Sequence, residues 1–231
     1  MTTRSSVDDE QHARQCRLEA ICAAGERVEV DLPGDRAAYL THYYAQADVE
    51  ELARDAEMLA RAALGHLAWA RSRKSGAPLI RVFNPTSARD GWTSEHTVVE
   101  TVNDDMPFLV DSLGMTLAGM NHPIYVTIHP MLHVERSDKG VLVSLQYARG
   151  GDVDGPARAE SFIHIEIARE TDAAILAAIE AGLASTLRAV RAAVEDWHKM
   201  LERLRAAASD LRATGGQIGR ASCRERVYAC V

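Results

Sequence analysis

Apolar residues recur at three- and four-residue steps from Leu52 through Ala56, Leu59, Ala63 and Leu67, the pattern of one buried helix face. Asp48 and Glu51 have capping-box spacing ahead of this helix, and "RSRKSGAP" ends it with basic residues, a glycine and a proline. "LIRVFNP" reads as a short strand and "TSARDGWTSEH" as a loop. The β-branched run Thr97–Val102 is a strand that stops at Asn103, followed by a helix carrying Leu109, Leu113, Leu117 and Met120.

"IYVTIHPMLHVE" then alternates as a single strand. Ile124, Val126, Ile128, Leu132 and Val134 share one parity, and Tyr125, Thr127, His129, His133 and Glu135 take the other. Burial of an aliphatic side chain is worth about 1.5–3 kcal/mol, so the even face is expected to pack on helices. After the "RSDKG" turn, Val141, Val143, Leu145 and Tyr147 alternate in phase, which predicts a hairpin. "SFIHIEIA" is a further strand, with Ile163, Ile165 and Ile167 opposite Phe162, His164 and Glu166. A long helix opens at Thr171–Asp172 and carries an apolar seam from Leu176 to Leu204, part of which is expected to reach beyond the sheet towards another helix or subunit. Two shorter helices broken near His198 are the alternative.

A net charge of −7 gives no electrostatic support for nucleic-acid or anionic-membrane binding. No N-terminal apolar h-region is present, and no later segment reads as long enough to span a bilayer, so the expected location is the cytoplasm. Cys16, Cys22, Cys223 and Cys230 form no CxxC pair, which argues against a structural zinc or thioredoxin-type motif. Residues 218–227, "IGRASCRERV", back-translate to a string resembling a common sequencing adapter, so 218–231 are set aside and the natural frame is expected to continue past Gln217. Without the three arginines and Glu225 of that tail the balance is 23 − 32 = −9.

"NDDMP" is the candidate for chemistry. Its first reading is a strand-to-helix turn, with Pro107 in the first helical turn and an Asp accepting backbone N–H groups. A ligand carboxylate at a helix N-terminus is the functional alternative, and acid–base catalysis by Asp104 and Asp105 is disfavoured because adjacent side chains on an extended chain diverge. His129 and His133 on one straight strand would stand about 13 Å apart, too far for one metal ion. They are expected on a solvent or partner face, and His164 with Glu166 as a packed or surface pair. "RGGDVDG" lacks the dinucleotide spacing, and no Walker loop, GxSxG elbow or HExxH is present. On residues alone the chain is a small α/β binding or assembly module.

"RVFNP" at 81–85, "GW" at 91–92, "TVVETVNDDMPFLVDS" at 97–112, "IHP" at 128–130, "ESFIHIEI" and "AAVEDW" resemble the N-terminal region of the large NAD-specific glutamate dehydrogenases. The resemblance runs from about Asp35 to about Leu204. It implies an α+β fold, an ACT-like antiparallel sheet packed against helices, and the pattern read above, with "SFIHIEI" ahead of the long helix, departs from the standard ACT order towards a permuted or augmented one. The implied division is a mobile N-terminal segment 1–30, a helical segment with a short strand 31–92, the ACT-like domain with its long helix 93–210, and a tail 211–231. The resemblance further implies a parent enzyme that oxidises L-glutamate with NAD, a homo-oligomer, with catalytic and NAD-binding residues outside this chain, which alone is expected to be inactive and to hold no cofactor or metal. An amino-acid effector would fall on the loop Asn103, Asp104, Asp105, Met106 and Pro107.

Overall fold

In the computed structural model, which describes residues 3–147 and 156–213, three helices precede the sheet: α1 (Thr3–Gly25), α2 (Arg36–Tyr43) and α3 (Ala56–Trp69). Strands β1 (Leu79–Phe83) and β2 (Thr97–Asp104) follow, then α4 (Leu109–Gly119), β3 (Ile124–Ile128), β4 (Met131–Arg136), β5 (Leu142–Gln146), β6 (Arg158–Ile167) and α5 (Ala173–Ala213). "RGGDVDG" and the tail from 214 lie outside the described residues.

Aspartates cap α2 and α3: Asp35 accepts from the Ala38 N–H at 2.8 Å, and Asp55 from the Met58 N–H at 2.7 Å. The Asp48–Glu51 contact also forms, with the Asp48 N–H donating to Glu51 at 2.9 Å, but it opens the short 3-10 turn Glu51–Ala53 instead of α3. The expected mobile segment 1–30 is corrected. Leu18, Ile21 and Ala24 of α1 are buried with Tyr39, Leu40, Leu59 and Leu67, because their three-residue spacing lines one helix face.

The sheet is antiparallel, in the order β1-β2-β6-β4-β5, with β3 also on β6. β2 and β6 are its centre and are buried along nearly their whole length. The augmented order expected of the ACT-like sheet is realised by β1, which joins from upstream and pairs along β2. Pro130 divides the single strand expected over 124–135. β3 pairs with Glu166 and its neighbours, β4 pairs with residues 158–161, and between them the Phe162 N–H donates to the Pro130 carbonyl at 3.0 Å. The expected even face therefore splits: Ile128, Leu132 and Val134 are buried, whereas Ile124 remains 38% exposed.

The β4–β5 hairpin forms, but its phase differs from the alternation. An irregularity at Glu135/Arg136 places Leu142 inward and leaves Val141 and Val143 exposed. Tyr39, Leu40, Leu67, Val102, Leu132 and Phe162 share the core between α1–α3 and the sheet. By strand parity Ile163, Ile165 and Ile167 point to the opposite face, where Leu109, Leu113 and Leu117 of α4 and Ile179, Leu183 and Leu187 of α5 are also buried. Gly182 lets α5 approach α4 closely: an added Cβ would stand 2.6 Å from Met120 Cε, beside the 2.7 Å contact of the Thr116 and Thr186 hydroxyls.

Residues up to Leu187 form one compact unit, which carries the boundaries expected near 30 and 92 inside it. Among the described residues the second unit, from Arg188, is the remainder of α5, with Trp197, Met200 and Leu204 exposed. Asp172 caps α5 as expected, accepting the Ala174 N–H at 2.7 Å, and the helix continues through position 198 without the alternative break. Contrary to the expectation that no segment is long enough, α5 is long and apolar enough by composition to cross a membrane. Its alanines supply that apolar character, and the Ile179, Leu183 and Leu187 stripe is buried in the first unit.

Candidate functional site

Strand register brings ionisable groups into one row. Arg81 on β1 faces Glu100 on β2, and Glu100 faces His164 on β6. Glu166, two residues further along β6, shares their face. His164 lies between the two acids, with Nδ1 3.2 Å from Glu100 Oε1 and Nε2 3.4 Å from Glu166 Oε1. Arg81 Nε donates to Glu100 at 2.7 Å, while its guanidinium stacks over the Trp69 and Phe83 rings. Arg54 Nη1 donates to Glu166 at 2.6 Å, and His96 Nδ1 lies 2.9 Å from the same carboxylate.

Electrostatics agree with the geometry. Burial would lower the basicity of His164, but its two carboxylate partners outweigh that and push its pKa up to about 9. Burial would raise Glu100, yet His66, His164 and Arg81 hold it down to about 2. Glu166 is likewise lowered, against burial, by His164 and Arg54. The trio is thus an imidazolium between two carboxylates, neutralised further by two arginines. His66 on α3 approaches the same place from the helical layer. Burial lowers it to about 4 against a weaker pull from the Thr101 backbone, Nδ1 lies 2.9 Å from the Tyr43 hydroxyl, and Nε2 makes no hydrogen bond of ordinary length and angle. Leaving a buried polar atom unpaired costs about 1–3 kcal/mol. One ligand atom from each of His66, Glu100 and His164 lies within 4.8 Å of the others, an arrangement able to hold a metal ion.

A second ionic group closes the other end of β6. Asp104 faces Glu160 across the β2–β6 ladder. Arg73 Nη2 ion-pairs with Asp104 and lies 2.8 Å from Glu160, which also receives Arg136 Nε at 2.7 Å. Arg73 and Glu160 are buried. This group forms part of the wall of a pocket of about 520 Å³ that also includes Lys74, Lys139 and Arg158.

The loop singled out in the sequence is divided between these surroundings. Asn103 is buried in β2, and Asp104 is the last strand residue, so the strand runs one residue past the expected stop. Asp105 is exposed and its N–H donates to the Ala159 carbonyl at 3.0 Å. Met106 is half-buried, and Pro107 sits in a turn before α4. The expected helix start is corrected: Phe108 is the N-cap, left-handed at φ 72°, with no side-chain cap. Of these five residues, Asp104 lines the pocket.

His129 falls in the break at Pro130 and lies 2.6 Å from the Ser161 hydroxyl, so it packs on β6 instead of on the solvent or partner face expected of it. His164 and Glu166 are a packed pair, as the sequence allowed. The roles of Glu100 and His66 were missed, although an acid inside "TVVETV" is a signal: a charge in a strand apolar on both sides needs a buried partner.

The profile of the family described as "Glutamate dehydrogenase, ACT1 domain" matches residues 39–183. The chain belongs to this ACT1 family. The ACT1 match takes in the whole sheet and every residue of both ionic groups. Among curated relatives of the chain, the NAD-specific glutamate dehydrogenase of Halomonas elongata is 34% identical over 219 residues, 92% of this chain and 14% of that protein. The NAD-specific glutamate dehydrogenase of Pseudomonas aeruginosa is 37% identical over 130 residues, 55% of this chain and 8% of that protein. This ACT1 chain therefore spans about one seventh of the longer alignment's partner. No solved structure matches it.

Proposed function

We propose that this chain is the N-terminal regulatory and assembly portion of a cytoplasmic, homo-oligomeric NAD-dependent glutamate dehydrogenase. The whole enzyme would convert L-glutamate, NAD and water to 2-oxoglutarate, ammonium and NADH, with catalysis and NAD binding carried by other parts of the polypeptide. Family membership supports the parent reaction. The regulatory reading rests on one observation: Asp104 lines a pocket whose wall also carries Lys74, Lys139 and Arg158. A zwitterionic amino acid has an ammonium for the carboxylate side and a carboxylate for the cationic side.

Calorimetry of the chain with glutamate and other amino acids tests this, using Asp104→Ala as the comparison. Saturable binding weakened about tenfold or more in the variant supports an effector pocket, and heats absent from both proteins overturn it. In an NADH-absorbance assay with glutamate the chain alone is expected to show no turnover.

Assembly has its own support in the exposed Trp197, Met200 and Leu204 at helical spacing. Sedimentation across a concentration series should show self-association that Trp197→Glu reduces. A strict monomer at high concentration removes this reading.

A further inference from the structure

We propose that His66, Glu100 and His164 form a site for a single divalent transition-metal ion, best suited to Zn²⁺, that ties α3 to the two central strands. The proposal is independent of the effector pocket, which lies at the other end of β6.

Three observations converge on it. The ligand atoms are already gathered, within 4.8 Å of one another, from three separate elements. The His164–Glu100 pair stands at 3.2 Å, close to the roughly 3.4 Å between donors in a tetrahedral site with bonds of about 2.0–2.1 Å. His66, within 4.8 Å of both, then needs only to close on that pair. Finally, His66 Nε2 is fully buried and makes no hydrogen bond of ordinary length and angle, on a ring whose other nitrogen is engaged by Tyr43 and whose remaining polar neighbour is the Thr101 backbone.

The surroundings have the form of a metal site's outer ring. Ligating histidines characteristically donate their second ring N–H to a carboxylate or another oxygen, which fixes the tautomer. His164 has Glu166 in that position, at 3.4 Å from Nε2. His66 has the Tyr43 hydroxyl at 2.9 Å from Nδ1. Glu100 binds Arg81 through Oε2, which leaves Oε1 towards His164 and the ion. Two imidazoles and one carboxylate suit zinc better than calcium or magnesium, which prefer all-oxygen sets. The protein supplies three ligands, so a water molecule completes the coordination. An ion on His164 Nδ1 replaces the proton that this nitrogen otherwise directs at Glu100, so binding releases one proton from the ring.

The test refolds the full chain from denaturant with and without Zn²⁺, followed by gel filtration and elemental analysis. One zinc per chain is expected, with a melting midpoint raised by roughly 5–10 °C at a hundredfold excess over Kd. His66→Gln is expected to lose the zinc and the shift while keeping the far-ultraviolet circular dichroism of the parent. Should that variant fail to fold, Co²⁺ loading of the parent decides: visible absorption of a four-coordinate nitrogen–oxygen site supports the proposal, and a six-coordinate aqueous-type spectrum overturns it. Zinc held at less than one tenth per chain, or held equally by His66→Gln, also overturns it.

Discussion

Arg136 and Glu160 meet in a paired geometry, Nε to Oε1 at 2.7 Å and Nη2 to Oε2 at 2.8 Å. Arg73 approaches Oε1 of the same carboxylate, so one acid holds two largely buried guanidinium groups. Glu160→Ala strips both arginines of that counter-charge, whereas Asp104 remains for Arg73. Breaking a buried pair from one side costs about 3–5 kcal/mol. Urea denaturation of the variant should show a loss of that size, and a loss below about 1 kcal/mol would show the arginines to be satisfied elsewhere.

Ile21 tests whether α1 is part of the core. It is 1% exposed in the cluster with Tyr39 and Leu40. Ile21→Ala should cost about 2–5 kcal/mol in chemical denaturation. An effect within about 0.5 kcal/mol would restore the mobile-segment expectation.

His129 gives a pH dependence. Burial lowers its pKa from the ordinary 6.5, with Asp105 pulling weakly the other way. The folded state therefore favours the neutral ring. That contribution is complete above about 6.5 and is lost as pH falls from there through the lower folded value. The stability difference between the parent and His129→Gln should shrink on going from pH 7.5 to pH 5. A difference that stays constant or grows would contradict the neutral, Ser161-bonded ring.

Phe108 holds a left-handed backbone at φ 72° while 66% of it is exposed. Asn tolerates that region better than an aromatic residue. Phe108→Asn should raise stability by up to about 1 kcal/mol, measured by thermal melting. A clear destabilisation would show that the ring makes contacts of its own.

Gly140 sits at φ +80°, and an added Cβ would stand 2.3 Å from the Arg73 carbonyl oxygen. The Arg73 N–H donates to the Gly140 carbonyl at 3.0 Å, which locks the β4–β5 turn to the segment after α3. Gly140→Ala should cost about 2–4 kcal/mol, since the clash is with backbone and the conformation disfavours any side chain. A neutral melting curve would mean that the turn can move away.

Periodicity was readable wherever one face alone carried the apolar residues. The Leu109–Leu113–Leu117 stripe of α4 and the paired parities of β6 both appear in the fold at the expected positions. It failed where backbone geometry intervenes. Pro130 ends one strand and starts another without disturbing the alternation of Ile128 and Leu132, and the irregularity at Glu135/Arg136 reverses the inward phase of Val141 and Leu142. For α1 a short helix around Leu18 and Ile21 was readable, but its full length and its burial were not, because its buried residues are few against a polar surface and their partners Tyr39 and Leu40 lie on another helix. The ionic row was only half legible: His164 and Glu166 are neighbours in sequence, but Glu100 and His66 join them through register and layer packing, which spacing along one chain does not encode.

Arg54, His66, Arg73 and Arg81 all precede residue 93, whereas Glu100, Asp104, Glu160 and Glu166 all follow it. Trimming the chain there would take three arginines and His66 away from these acids and leave His96, Arg136 and His164 as the remaining bases of the two groups. The excised sheet would carry more buried acid than base in its interior, with Asp104 stripped of Arg73. Any minimal soluble piece, or any chimera that grafts this sheet onto another enzyme, must therefore inherit the upstream helices as its electrical counterpart.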